Sequence, residues 1–196
     1  MADNTNEASG PPSADNRQVT EHPTGYGPLR KVQHRRGGGA AYAAVLAIVT
    51  LAITGVVGLL VRQPWLFPSL GPTVMLFFES PKQPSSRPLN TIVGHVVGIA
   101  AGVTCFTVFG LSGHRSAPVG GLTVSYVIAG AVAVGITTAV LSLLELPHPP
   151  AGASTLIVAL GILRTPVQLL SMVGAVLLIT TAGWASNRLL IGKQRR

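Results

Sequence analysis

Four stretches of this chain are apolar for long enough to cross a bilayer as helices. Two shorter apolar stretches between them are broken by proline. A spanning helix needs about 20 predominantly apolar residues, and residues 41–61, 89–111, 120–144 and 167–190 meet that length. WLFPSLGPTVMLFFES (65–80) separates the first run from the second, and LPHPPAGASTLIVALGIL (146–163) the third from the fourth. Both carry their prolines in the first half and are too short for a comfortable helical span. Residues 1–39 hold no apolar run and are rich in Asn, Ser, Asp, Pro and Gly. They read as a disordered cytoplasmic tail, with no apolar stretch behind a basic start to make a secretory signal. The expected organisation is that tail, a transmembrane domain over residues 40–191 and a basic tail over 192–196.

The two short stretches match each other. Pro68-Ser69-Leu70-Gly71-Pro72-Thr73 and Pro149-Pro150-Ala151-Gly152-Ala153-Ser154 both read P-x-x-G-x-[ST]. Each is followed by an apolar half-helix and then by a basic residue, a proline and an amide: Arg87-Pro88-Leu89-Asn90 and Arg164-Thr165-Pro166-Val167-Gln168. A long run with a glycine, Gly94 or Gly174, comes next. The fold class expected is therefore an all-α membrane protein built from two repeats of long helix, proline-broken short segment and long helix, over about 41–111 and 120–190. Proline donates no backbone hydrogen bond and disfavours helix at the residue before it. Residues 68–72 and 147–150 are thus expected extended, with short helices starting near Pro72 and Pro150. Irregular backbone at membrane depth survives only when buried in protein or lining a wet cavity, and paired broken segments point to a transporter binding site.

The sequence leaves open whether the short segments cross the membrane or re-enter. Either way both termini fall on one side, cytoplasmic by the basic flanks. With re-entrant loops Arg62, Lys82, Arg87 and Arg164 lie outside; with six crossings Lys82 and Arg87 move inside and Arg115 moves out, a slightly better charge split.

Composition sharpens this picture. Only 10% of residues are charged, 47% are hydrophobic and the mean hydropathy is +0.50, too little charge to cover a soluble surface. The net charge of +8 sits mostly at the flanks of the apolar runs, where basic residues meet lipid headgroups. That placement excludes nucleic acid as a partner and makes the lipid bilayer one. Tyr42, Trp65, Phe67 and Trp184 fall near run ends and are expected at the headgroup level. Cys105 lies inside an apolar run and reads as a small packing residue. The five histidines are scattered, and no cluster has metal-ligand spacing, so no metal or cofactor is expected.

The candidate chemistry lies on the broken segments. Helix N-termini present free N–H groups and partial positive charge, together an anion site. Two such termini, with Ser69, Gly71, Pro72 and Thr73 on one and Pro149, Pro150, Gly152, Ser154 and Thr155 on the other, are expected to converge in the membrane on a small anion. Glu79 and Glu145 are the only acids beyond residue 21 and sit at segment ends, so the site suits an anion better than a cation. His95 and His148 are the histidines at membrane depth, where an ionisable group is costly and a functional candidate. The plain alternative is a neutral histidine bonded to a carbonyl that proline has left free. Gly94, Gly98 and Gly102 form a doubled G-x-x-x-G, a flat face for another helix. Packing against a broken segment is its first expected use, and a seam between two copies the second. Ala131 and Gly135 offer a similar face. Asn90 and Gln168 are expected to bond carbonyls of the broken segments.

Leu146-Pro147-His148-Pro149-Pro150-Ala151-Gly152-Ala153 resembles the signature of the HPP family of integral membrane proteins, named for His-Pro-Pro. Residues 71–81 with Arg87-Pro88-Leu89-Asn90 and Gly94-His95 resemble its earlier segment, so the resemblance covers about residues 40–190. It implies four transmembrane helices, and nitrite transport by analogy with plant chloroplast and cyanobacterial members. Gly71-Pro72 stands where Gly-Ala is expected in many members, which would stiffen the first broken segment.

The function expected is a transporter or channel in the cell's inner membrane for a small inorganic anion, nitrite first. The alternative is a membrane scaffold without transport. No G-x-S-x-G elbow, H-E-x-x-H helix or acidic dyad occurs, so the chain is not expected to be an enzyme.

Overall fold

The computed structural model describes residues 36–190; the remainder of the expected N-terminal tail and the basic C-terminal residues lie outside the described residues. Six principal helices follow in order: α1 (Arg36–Val61), α2 (Leu70–Glu79), α3 (Pro88–Val108), α4 (Val124–Leu143), α5 (Pro150–Ala159) and α6 (Pro166–Leu190). Single turns at Pro84–Ser86, Leu111–Gly113 and Ala117–Gly120 lie in the connections. No strand occurs among the described residues. α1, α3, α4 and α6 are long and apolar enough to cross a membrane, whereas the ten residues of α2 and of α5 rise only about 15 Å.

α1 begins within the expected tail, and Gly37–Gly39 are helical. α2 starts two residues earlier than the proline rule suggests. Pro72 occupies its third position, where a missing N–H removes no intrahelical bond. α1 and α4 end alike: Arg62 and Glu145 adopt left-handed φ of 55° and 54°. In each case the next residue donates back across the last turn, Gln63 N to Gly58 O at 3.0 Å and Leu146 N to Leu141 O at 3.0 Å. These are Schellman-type stops made without glycine, and they turn the chain sharply into its proline-containing segment.

Glycines set the helix register. α5 lies against α3 so closely that a Cβ added to Gly94 would stand 2.8 Å from His148 Cβ, one on Gly98 2.7 Å from Ala151 O, and one on Gly102 2.8 Å from Val158 Cβ. The order of these contacts makes α5 parallel to α3. The doubled G-x-x-x-G is therefore covered within the chain by a broken segment, and its face is not free as a seam between copies. α2 runs parallel to α6 by the same evidence, with Gly174 against the Trp65 ring and Gly183 against Phe77. α4 runs antiparallel to α5, since Thr137 meets Thr155 and Gly130 meets Leu156 and Leu160. At one end of the bundle the end of α5 joins the α3–α4 connection, through Ala117 N to Leu160 O (3.0 Å) and Arg164 Nη1 to His114 O (2.9 Å). At the other, the Ser85 carbonyl meets the start of the α5 segment at His148. The described residues thus pass from one end of the bundle to the other six times, the segments of α2 and α5 included.

Two apolar clusters fill the bundle. One gathers Phe67, Leu70, Phe77, Met172 and Ile179, and the other Cys105, Phe106, Tyr126 and Ala133. Several expectations are corrected here. Phe67 is buried and the Trp65 ring packs on Gly174, so these two serve the interior; large rings fill the gaps that short helices leave. On α4 the buried small face is Ala129, Gly130 and Ala133, while Ala131 and Gly135 point outward. The exposed side of the long helices is apolar, Leu143 being 84% exposed, as lipid contact requires.

Gly98→Ala must push the α5 backbone away and is expected to destabilise the protein by about 1–3 kcal/mol. Gly135→Ala, with nothing within 4 Å of its new methyl, should leave stability unchanged or slightly raised. Thermal unfolding of the detergent-purified variants compares the two.

Candidate functional site

His95 lies two turns into α3, on the face flattened by Gly94 and Gly98, and is 1% exposed. The short helices reach it from both directions. Thr73 Oγ1 on α2 stands 3.1 Å from His95 Nε2, and Ser154 Oγ on α5 stands 2.6 Å from His95 Nδ1. These hydroxyls occupy the same place in the two P-x-x-G-x-[ST] stretches. His148, 2% exposed, completes the centre. Its Nε2 is 3.3 Å from His95 Nε2, its ring crosses that of His95 at 66° with centroids 5.0 Å apart, and its Nδ1 is 2.8 Å from the Ser85 carbonyl.

The hydrogen bonds fix where the protons are. A carbonyl can only accept, so His148 Nδ1 carries a hydrogen and, in the neutral ring, Nε2 is bare. The hydrogen between the two rings therefore belongs to His95 Nε2, which leaves His95 Nδ1 to accept from the Ser154 hydroxyl. Thr73 donates to its own helix at Ser69 O, 2.9 Å away, and turns a lone pair toward His95 Nε2–H. One hydrogen thus faces two acceptors, Thr73 Oγ1 and His148 Nε2. Among the described residues no carboxylate is buried; Glu79 and Glu145 are both exposed. Two neutral histidines in their two different tautomers satisfy this arrangement.

The remaining candidates lie around that centre. Thr155 is buried beside it but pairs with Thr137 Oγ1 (2.9 Å) and its own helix at Ala151 O (3.0 Å). Ser69 is fully buried, and its hydroxyl has no hydrogen-bond partner. Gly71 and Gly152 are partly exposed, and no atom lies within 4 Å of where a side chain would begin on either. Pro72, Pro149 and Pro150 line an open recess of about 390 Å³ with Met75, Leu76, Glu79, Ser80 and Ala153. Chain neighbours of Thr73, His148 and Ser154 thus wall this recess, while those three side chains are sealed behind it.

Asn90 Nδ2 donates to Pro147 O at 3.2 Å, as its place after Pro88 suggests. Gln168 does otherwise: its Oε1 accepts from Arg164 N and Thr165 N at 3.1 Å, while its own N–H donates to Thr165 Oγ1. That is a capping box on α6, favoured because Thr165 stands three residues earlier. The contributions of the Ser85 carbonyl and of Thr137 carry no sequence signal. A backbone acceptor can come from any residue, and a threonine within an apolar helix commonly bonds its own preceding turn.

A family model described as the HPP transmembrane region matches residues 33–196 of the chain. No curated protein and no solved structure gives a significant match.

Ser154→Ala leaves His95 Nδ1 buried without a partner and is expected to cost about 1–3 kcal/mol. Ser171→Ala removes a hydroxyl bonded only to its own helix at Val167 O and should change stability by less than about 0.5 kcal/mol. Thermal or denaturant unfolding in one detergent measures both.

Proposed function

The chain belongs to the HPP family, and on that footing we propose that it is a membrane transporter or channel for a small inorganic anion, nitrite first among the candidates. The observation that carries this reading is the polar centre itself. Burying polar groups is costly unless each is hydrogen-bonded, and four spanning helices could pack through apolar residues and glycines alone. Instead, hydroxyls from both broken segments converge on two histidines, with the unpartnered Ser69 hydroxyl nearby. A polar centre with no buried carboxylate among the described residues suits a small anion better than a cation. Nitrite rests on the family resemblance alone.

The end of the bundle bearing Lys82, Arg87 and Arg188 is taken as cytoplasmic in the inner membrane. The opposite end holds Arg62, Arg115 and Arg164, and the further basic residues at both termini add to the first set.

A scaffold without transport is the second reading, favoured by the tight α3–α5 seam, which would pack the same way in a protein that carries nothing.

Purified full-length protein in liposomes is expected to take up nitrite faster than empty vesicles, with His95→Ala and Ser154→Ala each lowering the rate about tenfold or more. Rates equal to those of empty vesicles for nitrite, nitrate, formate and chloride would leave the scaffold reading. In a Cys105→Ala background, cysteine placed at Lys82 should react only from the cytoplasm and at Arg115 only from outside. The reverse pattern would invert the orientation.

A further inference from the structure

We infer that Ser154, His95 and His148 form a proton relay that loads one proton with each anion, so that the site moves the elements of an acid without net charge. This rests on the transport reading and names its coupling ion and substrate class: the anion of a weak acid.

The relay is directional as it stands. Ser154 Oγ–H donates to His95 Nδ1, His95 Nε2–H points to His148 Nε2, and His148 Nδ1–H donates to Ser85 O, over distances of 2.6, 3.3 and 2.8 Å. Every link has a donor on one side and an acceptor on the other. Ser154 is sealed behind the recess walled by Pro150 and Ala153, so an acid HA delivers its proton once α5 shifts enough to open the Ser154 hydroxyl to that recess. The A–H bond breaks and a new O–H bond forms on Ser154. The old Ser154 hydrogen passes to His95 Nδ1, and the His95 Nε2 hydrogen passes to His148 Nε2. The products are the anion A⁻ beside Ser154, which still has a hydrogen to donate, and a His148 imidazolium. His95 remains neutral with its tautomer switched. Release of the acid is the same sequence reversed.

Two features of the surroundings fit this role. His148 keeps the same Nδ1–H bond to the Ser85 carbonyl before and after loading, so its ring stays anchored while its charge changes. In the loaded state His95 Nε2 no longer carries a hydrogen and accepts the one that His148 Nε2 has gained, so the two rings stay hydrogen-bonded. Among the described residues no other charged side chain competes. On the elements packed about the pair, Glu79 of α2, Lys82 and Arg87 around the Pro84–Ser86 turn, and Glu145 before the His148 segment are exposed. α3, α4 and α5 carry no acidic or basic residue besides His95, and Arg188 of α6 stacks on Trp184.

Histidine-¹⁵N-labelled full-length protein in lipid nanodiscs tests the wiring directly. Among the signals of the five histidines, one protonated at Nε2 should vanish in His95→Gln and one protonated at Nδ1 should vanish in His148→Gln. A His148 ring protonated at Nε2 would overturn the relay, whatever the flux. Liposomes loaded with a pH dye test its use, with nitrite as the probe and empty vesicles subtracted. Nitrite entry is expected to acidify the interior one proton per anion, and His148→Gln to lower that coupled flux about tenfold or more. Nitrite entry that builds a membrane potential and leaves the internal pH unchanged would overturn proton loading while leaving anion transport in place. No entry at all would remove the transport reading, and the tautomers would still decide the wiring.

Discussion

One imidazole ring, that of His95, receives a hydroxyl on each nitrogen, and the hydroxyls come from two short helices that barely touch each other. α2 belongs to the packing around α6 and α5 to the packing around α3, so the ring is where the two halves of the molecule are joined by polar bonds. Its position follows from backbone, not from the side chain. Because Gly94 and Gly98 let the His148 segment and α5 approach without Cβ atoms between them, a histidine between those glycines is pressed into the gap. A wider helix separation would carry Ser154 beyond hydrogen-bonding distance and open the ring to lipid. The glycine seam and the buried histidine are thus one device.

That device also explains the prolines. A continuous helix through residues 63–80 or 144–160 would bond every backbone group internally and leave its middle featureless. Proline prevents this, and each extended lead-in then offers unpaired carbonyls in a region without water. The structure satisfies one of them locally, Pro147 O accepting from Asn90. The bare Ser85 carbonyl in the next loop orients His148. The Ser85 carbonyl thus sets the tautomer of His148 and, through the bond between the rings, that of His95, and a pair of neutral rings acquires a direction.

Much of this was legible in the sequence, for reasons that differ by element. The four long helices follow from run length, because a lipid-facing helix cannot conceal its composition. Thr73 and Ser154 stood out as the shared last residue of P-x-x-G-x-[ST], and both reach His95. The glycine spacing foretold close packing against a broken segment, and the structure shows that segment to be α5. What could not be read depends on three-dimensional neighbours. Trp65 and Phe67 have the sequence position of headgroup anchors, yet the space beside a ten-residue helix draws them inward. Ala131 and Gly135 have the right spacing on the wrong face of α4, since helical period marks a stripe without saying which way it points. Gln168 follows its proline as Asn90 does, but Thr165 offers it a nearer partner.

The histidines show the same division between type and role. Depth alone marked His95 and His148 as costly residues, and the family signature gave His148 the greater prominence. The geometry reverses that order. His148 is held from one side by a carbonyl, whereas His95 contacts Thr73, Ser154 and His148 and is the member through which each of the others is connected. A residue that bridges two segments distant in sequence leaves no mark in either of them. The hydroxyls at Thr73 and Ser154 are legible because they sit inside matched motifs; their common partner becomes visible only when the two motifs are brought together around it.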